Sequence, residues 1–255
     1  YTNGGSSNYV AWNWKGGGTA SSNGNGSITS SISANTTAGL SIVSYTGNAT
    51  SGATVGHGLG VAPDVVIVKR RSATEDWIVG IGPILGSGED GHYLKLNTNA
   101  AKATGNGPFN STNPSSSVFT LGSDVATNGN GSTYIAYCFS EVAGYSEFGK
   151  YIGNGNANGT FVYTGFRPAF VLIKNSSSTV SWVMGDNKRD SDDGSNPVGK
   201  YLHPNSGAAE SQSQWIDFTS NGFKLRSSAT TWNGNGNTLI YLAFAESPFK
   251  YARAR

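Results

Sequence analysis

The chain has 255 residues, a formal charge of +2 and only 13% charged side chains, against 36% hydrophobic and 11% aromatic ones. This balance excludes a polyelectrolyte kept disordered by self-repulsion, and a basic cluster occurs only in the terminal Lys250-Tyr-Ala-Arg253-Ala-Arg255, so no nucleic-acid partner is expected. No apolar run approaches the roughly 18 residues of a membrane span, which argues against membrane insertion.

In chain order, the first residue is Tyr1 rather than Met, and the sequence reads as a fragment or a processed product. Residues 1–15 lead from a Gly/Asn turn into Tyr9-Val-Ala-Trp-Asn-Trp14, with aromatics two apart, the spacing of one face of a strand. Residues 16–38 are Gly/Ser/Asn-rich and read as a linker, with a short edge strand possible within 27–38. Leu40-Ser-Ile-Val-Ser-Tyr45 is a strand that ends on a Thr-Gly-Asn turn. His57 sits in Gly56-His-Gly-Leu-Gly60, which lacks the helix a phosphate loop requires. Val65-Val-Ile-Val-Lys69 is nearly continuous and β-branched, the pattern of a strand buried on both faces. Trp77-Ile-Val79 and Tyr93-Leu-Lys-Leu96 are further strands, and the polar stretch 97–117 is a loop. Phe119-Thr-Leu121 and Tyr134-Ile-Ala-Tyr-Cys-Phe139 are predicted to pair as a hairpin across Asn128-Gly-Asn-Gly131, because Asn and Gly tolerate positive φ. Cys138, the one cysteine, falls in that apolar strand and reads as a core residue.

The same order then recurs. Ser44-Tyr-Thr-Gly-Asn48 matches Lys150-Tyr-Ile-Gly-Asn154, Pro63 to Lys69 matches Pro168 to Lys174, and Trp77 matches Trp182. Tyr93-Leu94 matches Tyr201-Leu202, and Asn128-Gly-Asn-Gly131 matches Asn233-Gly-Asn-Gly236. The offset stays near 105 residues, so the chain holds two copies of one module. The expected fold is all-β, tandem antiparallel β-sandwich (jelly-roll-like) modules, over residues 39–145 and 146–255. Residues 1–15 resemble the last strand of a module. They belong either to a preceding copy or to the sheet of another domain or subunit.

Little catalytic chemistry is legible. His57, His92 and His203 have no zinc-ligand spacing, and no metal or other cofactor is expected. The acidic stretch Asp186-Asn-Lys-Arg-Asp-Ser-Asp-Asp193 reads as a solvated loop in preference to a calcium loop. Glu141 and Glu246 match across the copies and close terminal strands, a structural placement, and no Gly-x-Ser-x-Gly is present. Trp77 and Trp182 are expected in the core. Trp215 and Trp232 have no partners in the first copy and are the candidate contacts for a ligand or receptor.

The runs Tyr9-Val-Ala-Trp-Asn-Trp-Lys15, Gly39-Leu-Ser-Ile-Val-Ser-Tyr-Thr-Gly-Asn48, Tyr163-Thr-Gly-Phe-Arg-Pro-Ala-Phe-Val-Leu-Ile-Lys174 and Ser220-Asn-Gly-Phe-Lys-Leu-Arg226 resemble a repeated module of phage virion proteins, tail- or fibre-associated or capsid-decorating, as in marine and cyanobacterial phages. The resemblance implies a non-enzymatic structural protein of the virion surface. Its partners would be other virion proteins and further copies of itself, in a homo-oligomer. The alternative is a glycan- or receptor-binding module acting in host attachment. The resemblance carries no catalytic residues.

Overall fold

The computed structural model describes residue 5, residues 8–189 and residues 196–245. Glu246, positions 190–193 of the acidic stretch and the basic terminus lie outside the described residues. Strand makes up 41% and helix 7%, and every ladder is antiparallel, so the chain is an all-β protein of β-sandwich modules.

The first half carries β1 (Ser21–Asn23), β2 (Ser30–Asn35), β3 (Leu40–Thr46), β4 (Thr54–Gly56), β5 (Val65–Arg70), β6 (Trp77–Gly80), α1 (Gly82–Leu85), β7 (His92–Lys95), β8 (Ala103–Thr104), α2 (Asn106–Phe109), β9 (Val118–Thr120), α3 (Val125–Asn128) and β10 (Thr133–Phe139). The second carries β11 (Ser146–Ile152), β12 (Phe161–Tyr163), β13 (Pro168–Asn175), β14 (Val183–Asp186), β15 (Val198–Tyr201), β16 (Ser211–Thr219), β17 (Gly222–Leu225), α4 (Thr230–Asn233) and β18 (Thr238–Ala245). The sheet β1-β2-β3-β10-β5-β6-β7-β8 contains the order β3-β10-β5-β6, and its repeat equivalents β11-β18-β13-β14 form a sheet in the same order. The repeat seen in the sequence is therefore a repeat of topology.

Three apolar cores separate the layers. One lies between the large sheet and the small β4-β9 sheet, and another between β11-β18-β13-β14 and β12-β17-β16-β15. The third joins the two modules. Successive strand residues point to opposite faces, so the central strands feed two cores at once. In β5, Val66 and Val68 enter the first module's core and Val65 enters the shared one. In β18, Leu239, Tyr241 and Ala243 enter the second module's core, while Ile240, Leu242 and Phe244 enter the shared one. Burial on both faces explains why these strands read as unbroken apolar runs.

Several expectations change. Residues 16–38 are not a free linker: β1 and β2 extend the large sheet, with Ile32 opposite Val43. β2 lies within the 27–38 stretch read as a short edge strand, and only β1, in the Gly/Ser/Asn-rich part, goes beyond that reading. Residues 8–15 form no strand among the described residues. Trp12 and Trp14 of this segment pack edge-on against Phe170 and Phe244 of the shared core. The 97–117 stretch holds β8 and α2. The expected hairpin is absent, since β9 pairs with β4 while β10 lies between β3 and β5. Of that Asn-Gly-Asn-Gly turn only Gly131 has positive φ, so the two-residue hairpin turn does not form.

That motif instead builds a buried polar knot. Asn128 Oδ1 accepts the Asn48 N–H at 2.9 Å, and its Nδ2 donates to the carbonyls of Thr50 and Gly122. Asn233 repeats it, accepting from the Asn154 N–H at 3.0 Å and donating to the carbonyls of Asn156 and Ser227. Tyr45 and Tyr151 complete each knot by donating to the carbonyls of Thr127 and Trp232. A buried loop needs such internal partners because no water reaches its amides.

Candidate functional site

The two tryptophans selected as ligand contacts are in the core. Trp215 in β16 is fully buried and Trp232 in α4 is 6% exposed. They lie 5.3 Å apart and both face the half-buried Tyr201. Rings enclosed in this way cannot offer a face to a ligand, which removes them as contact residues. Both indole N–H groups are buried with no acceptor among the described residues, which costs each about 1–3 kcal/mol.

The remaining titratable groups also have structural partners. His57 is buried, with Nε2 on the Ser115 carbonyl and Nδ1 accepting the Leu59 N–H; burial pushes its pKa down, toward the neutral form. His92 bonds Glu89, and His203 Nδ1 lies 2.7 Å from the Trp182 carbonyl. Asp186, at the head of the acidic stretch, accepts from Trp12 Nε1, from the Lys188 and Arg189 N–H groups and from Arg189 Nε. No group of three metal-ligating side chains occurs among the described residues. Cys138 is fully buried, and burial drives its thiol pKa upward.

Two unusual electrostatic features remain, both where the modules meet. The first is a carboxylate group at the connection from β10 to β11. Asp64 Oδ2 accepts the Glu141 N–H at 2.9 Å, and Glu141 Oε1 accepts the Phe148 N–H at 2.8 Å. Glu141 thus ties the connection, a turn-bonding role. Desolvation, followed by the charges of Glu141 and Asp64, pushes Glu147 up to about 7. A raised folded pKa means that this contribution is fully present below the unfolded value and is lost as pH rises through about 7. Glu147→Gln is expected to raise stability by about 1 kcal/mol at about pH 8.5, after allowance for solvent screening, and to change little at about pH 4. Urea unfolding of both proteins at the two pH values checks it, and an equal effect at both would refute the assignment.

The second is the seat that the second module offers to the first. Lys174 in β13 is fully buried, and its Nζ donates to four carbonyls: Asn99, Asn175, Ser178 and Val180, at 3.2, 3.0, 3.2 and 2.6 Å. Burial lowers its pKa to about 8. Asn99 belongs to the first module, whose Lys102 N–H also bonds the Ser176 carbonyl at 2.8 Å. Trp182, 1% exposed, donates its indole N–H to the Lys95 carbonyl at 3.0 Å. The β7–β8 segment of the first module is thus clasped by Lys174, Ser176 and Trp182 of the second. Sequence reasoning placed Trp182 in the core correctly. It missed Lys174, although the matched Lys69/Lys174 pair at the end of an apolar run was a visible signal. Trp77, the mate of Trp182, is only half-buried and stacks on Tyr137 at 6.4 Å.

What the fold and this junction define is a protein of two repeated antiparallel β-modules fused through a shared core. The chain belongs to the family described as a domain of unknown function, DUF7483, which matches residues 1–248. Comparison with curated proteins and with solved structures gave no match to either.

Proposed function

We propose that the protein is a non-enzymatic structural component of a phage particle, in a tail fibre or appendage or as a decoration of the capsid surface. The observation that carries this reading is the shared core. Phe139, Phe148, Phe170 and Phe244 of the two modules interlock across it, with Trp14 added from the N-terminal segment. The clasp on Lys174 and Trp182 reinforces the joint. Two modules locked in this way make a rigid unit, suited to bearing load and to building an array. The resemblance of residues 9–15, 39–48, 163–174 and 220–226 to virion modules points the same way. The glycan-binding reading loses its selected residues, because Trp215 and Trp232 are enclosed.

The test is localisation. Antibody raised against the purified chain and applied to particles of a phage that encodes it is expected to label one defined structure, seen by electron microscopy with gold. Peptides of the chain should also appear in purified particles by mass spectrometry. Their absence from particles, with the chain found only in the infected cell, rejects the reading.

A further inference from the structure

The clasp joining the modules is a donor edge fitted into a receptor, and each half recurs elsewhere in the chain. On the second module the receptor is Lys174, Trp182, Ile240 and Leu242, all buried. The repeat places Lys69, Trp77, Ile135 and Tyr137 at the same positions of the first module. There all four are only half-buried. The local frame is the same. The Trp77 N–H bonds Asn97 Oδ1 at 3.0 Å, as the Trp182 N–H bonds Asn205 Oδ1 at 2.9 Å. What differs is the cover. Among the described residues the Trp77 indole N–H has no acceptor, and Lys69 Nζ reaches only the neighbouring Arg70 carbonyl, at 2.9 Å. Lys69 makes no ion pair within 4 Å among the described residues, although its charge is felt by the Asp76 carboxylate, and its ammonium has donors left for carbonyl oxygens, as that of Lys174 does.

The donor recurs as well. In the first module it is the turn after β7, where the Thr98 N–H bonds the Lys95 carbonyl at 3.3 Å and that carbonyl accepts Trp182. In the second module the Ser206 N–H bonds the His203 carbonyl at 3.0 Å, and residues 206–210 are exposed. The receptor of the first module is half-buried, the donor turn of the second is half-buried at His203–Asn205 and exposed from Ser206, and the two have the chemistry of a pair already joined inside the chain.

We propose that two copies of the chain associate head to tail, the His203–Ser206 turn of one copy seating on Lys69, Trp77 and Tyr137 of the next. The His203 carbonyl takes the Trp77 indole N–H, and carbonyls of the following loop surround Lys69. The contact is heterologous, so it propagates into a ring or a filament rather than stopping at a two-fold dimer. It stands whether or not the chain is a particle component.

Sedimentation velocity of the full chain over a concentration series tests it. The mass is expected to rise above the 26.5 kDa of the monomer as concentration increases. Trp77→Ala is expected to weaken association at least tenfold. Lys69→Glu should do the same with unchanged circular dichroism, which covers the case of a poorly folded Trp77 variant. Mixing Lys69→Cys chains with Ser206→Cys chains under mild oxidation is expected to give a disulfide-linked dimer, whereas neither variant alone should give one. Cys138 is buried and does not compete. A monomer persisting to about 1 mM, a concentration at which even weak pairs form, overturns the proposal. So does association that neither substitution affects, or cross-linking of one single-cysteine variant to itself.

Discussion

Trp182→Ala is expected to destabilise the protein by about 4 kcal/mol, within the range for emptying a buried tryptophan site. The ring is 1% exposed and packs in the shared core, which also contains Leu94 of the first module. Its loss opens a cavity between modules that cannot both relax, because each sheet is held from its other face by a second core. The Lys95 carbonyl also loses the indole N–H. The repeat supplies the control. Trp77→Ala removes the same side chain from the matching position of the repeat, but a half-buried one, so about 1 kcal/mol is expected from the area returned to water. Guanidinium unfolding of the three proteins, at a concentration low enough to keep them monomeric, reads the difference. Equal losses at the two positions would mean that the first module does not hold Trp182 more firmly than solvent holds Trp77.

That contrast also shows what the sequence could and could not reveal. Strands buried on both faces announce themselves, as Val65-Val-Ile-Val68 and Phe170-Val-Leu-Ile173 do, because no position has to be polar. The repeat was legible for a related reason: the same knot, built on Tyr45 and Asn128 or on Tyr151 and Asn233, needs the same residue types at the same spacing. Burial that depends on a distant neighbour was not legible. Trp77 and Trp182 occupy matching positions, yet only one is covered, by a segment more than eighty residues away. Trp215 was read as a contact residue because it has no partner in the first copy, although its half of β16 is buried. The Asn-Gly-Asn-Gly turns misled because the first Asn ties a buried loop through its side chain and its carbonyl instead of turning a hairpin.

Lys174→Met is expected to cost about 3 kcal/mol near neutral pH, the net of two opposed effects. Removing the ammonium relieves the penalty of burying a charge that has no carboxylate partner among the described residues. It also strips a donor from four carbonyls at once, those of Asn99, Asn175, Ser178 and Val180. Leaving the buried Asn175 carbonyl unpaired costs about 1–3 kcal/mol and the three part-buried carbonyls lose a charged donor as well, so the loss of donors outweighs the relief. The pH dependence separates the two effects. Burial lowers the Lys174 pKa from 10.5 to about 8. A depressed folded value means that the unfolded chain holds the extra proton between the two pKa values, so stability gained from this group rises with pH across that window. The cost of the Met substitution should therefore grow between pH 8 and pH 10.5, the two ends of the shift. Because Asn99 belongs to the first module, the variant should also loosen the clasp, and the Lys102 amide, bonded to the Ser176 carbonyl, should exchange faster with deuterium. A neutral or stabilising Met with an unchanged Lys102 amide would show that the lysine is a burden on the fold and not the pin that holds its two halves together.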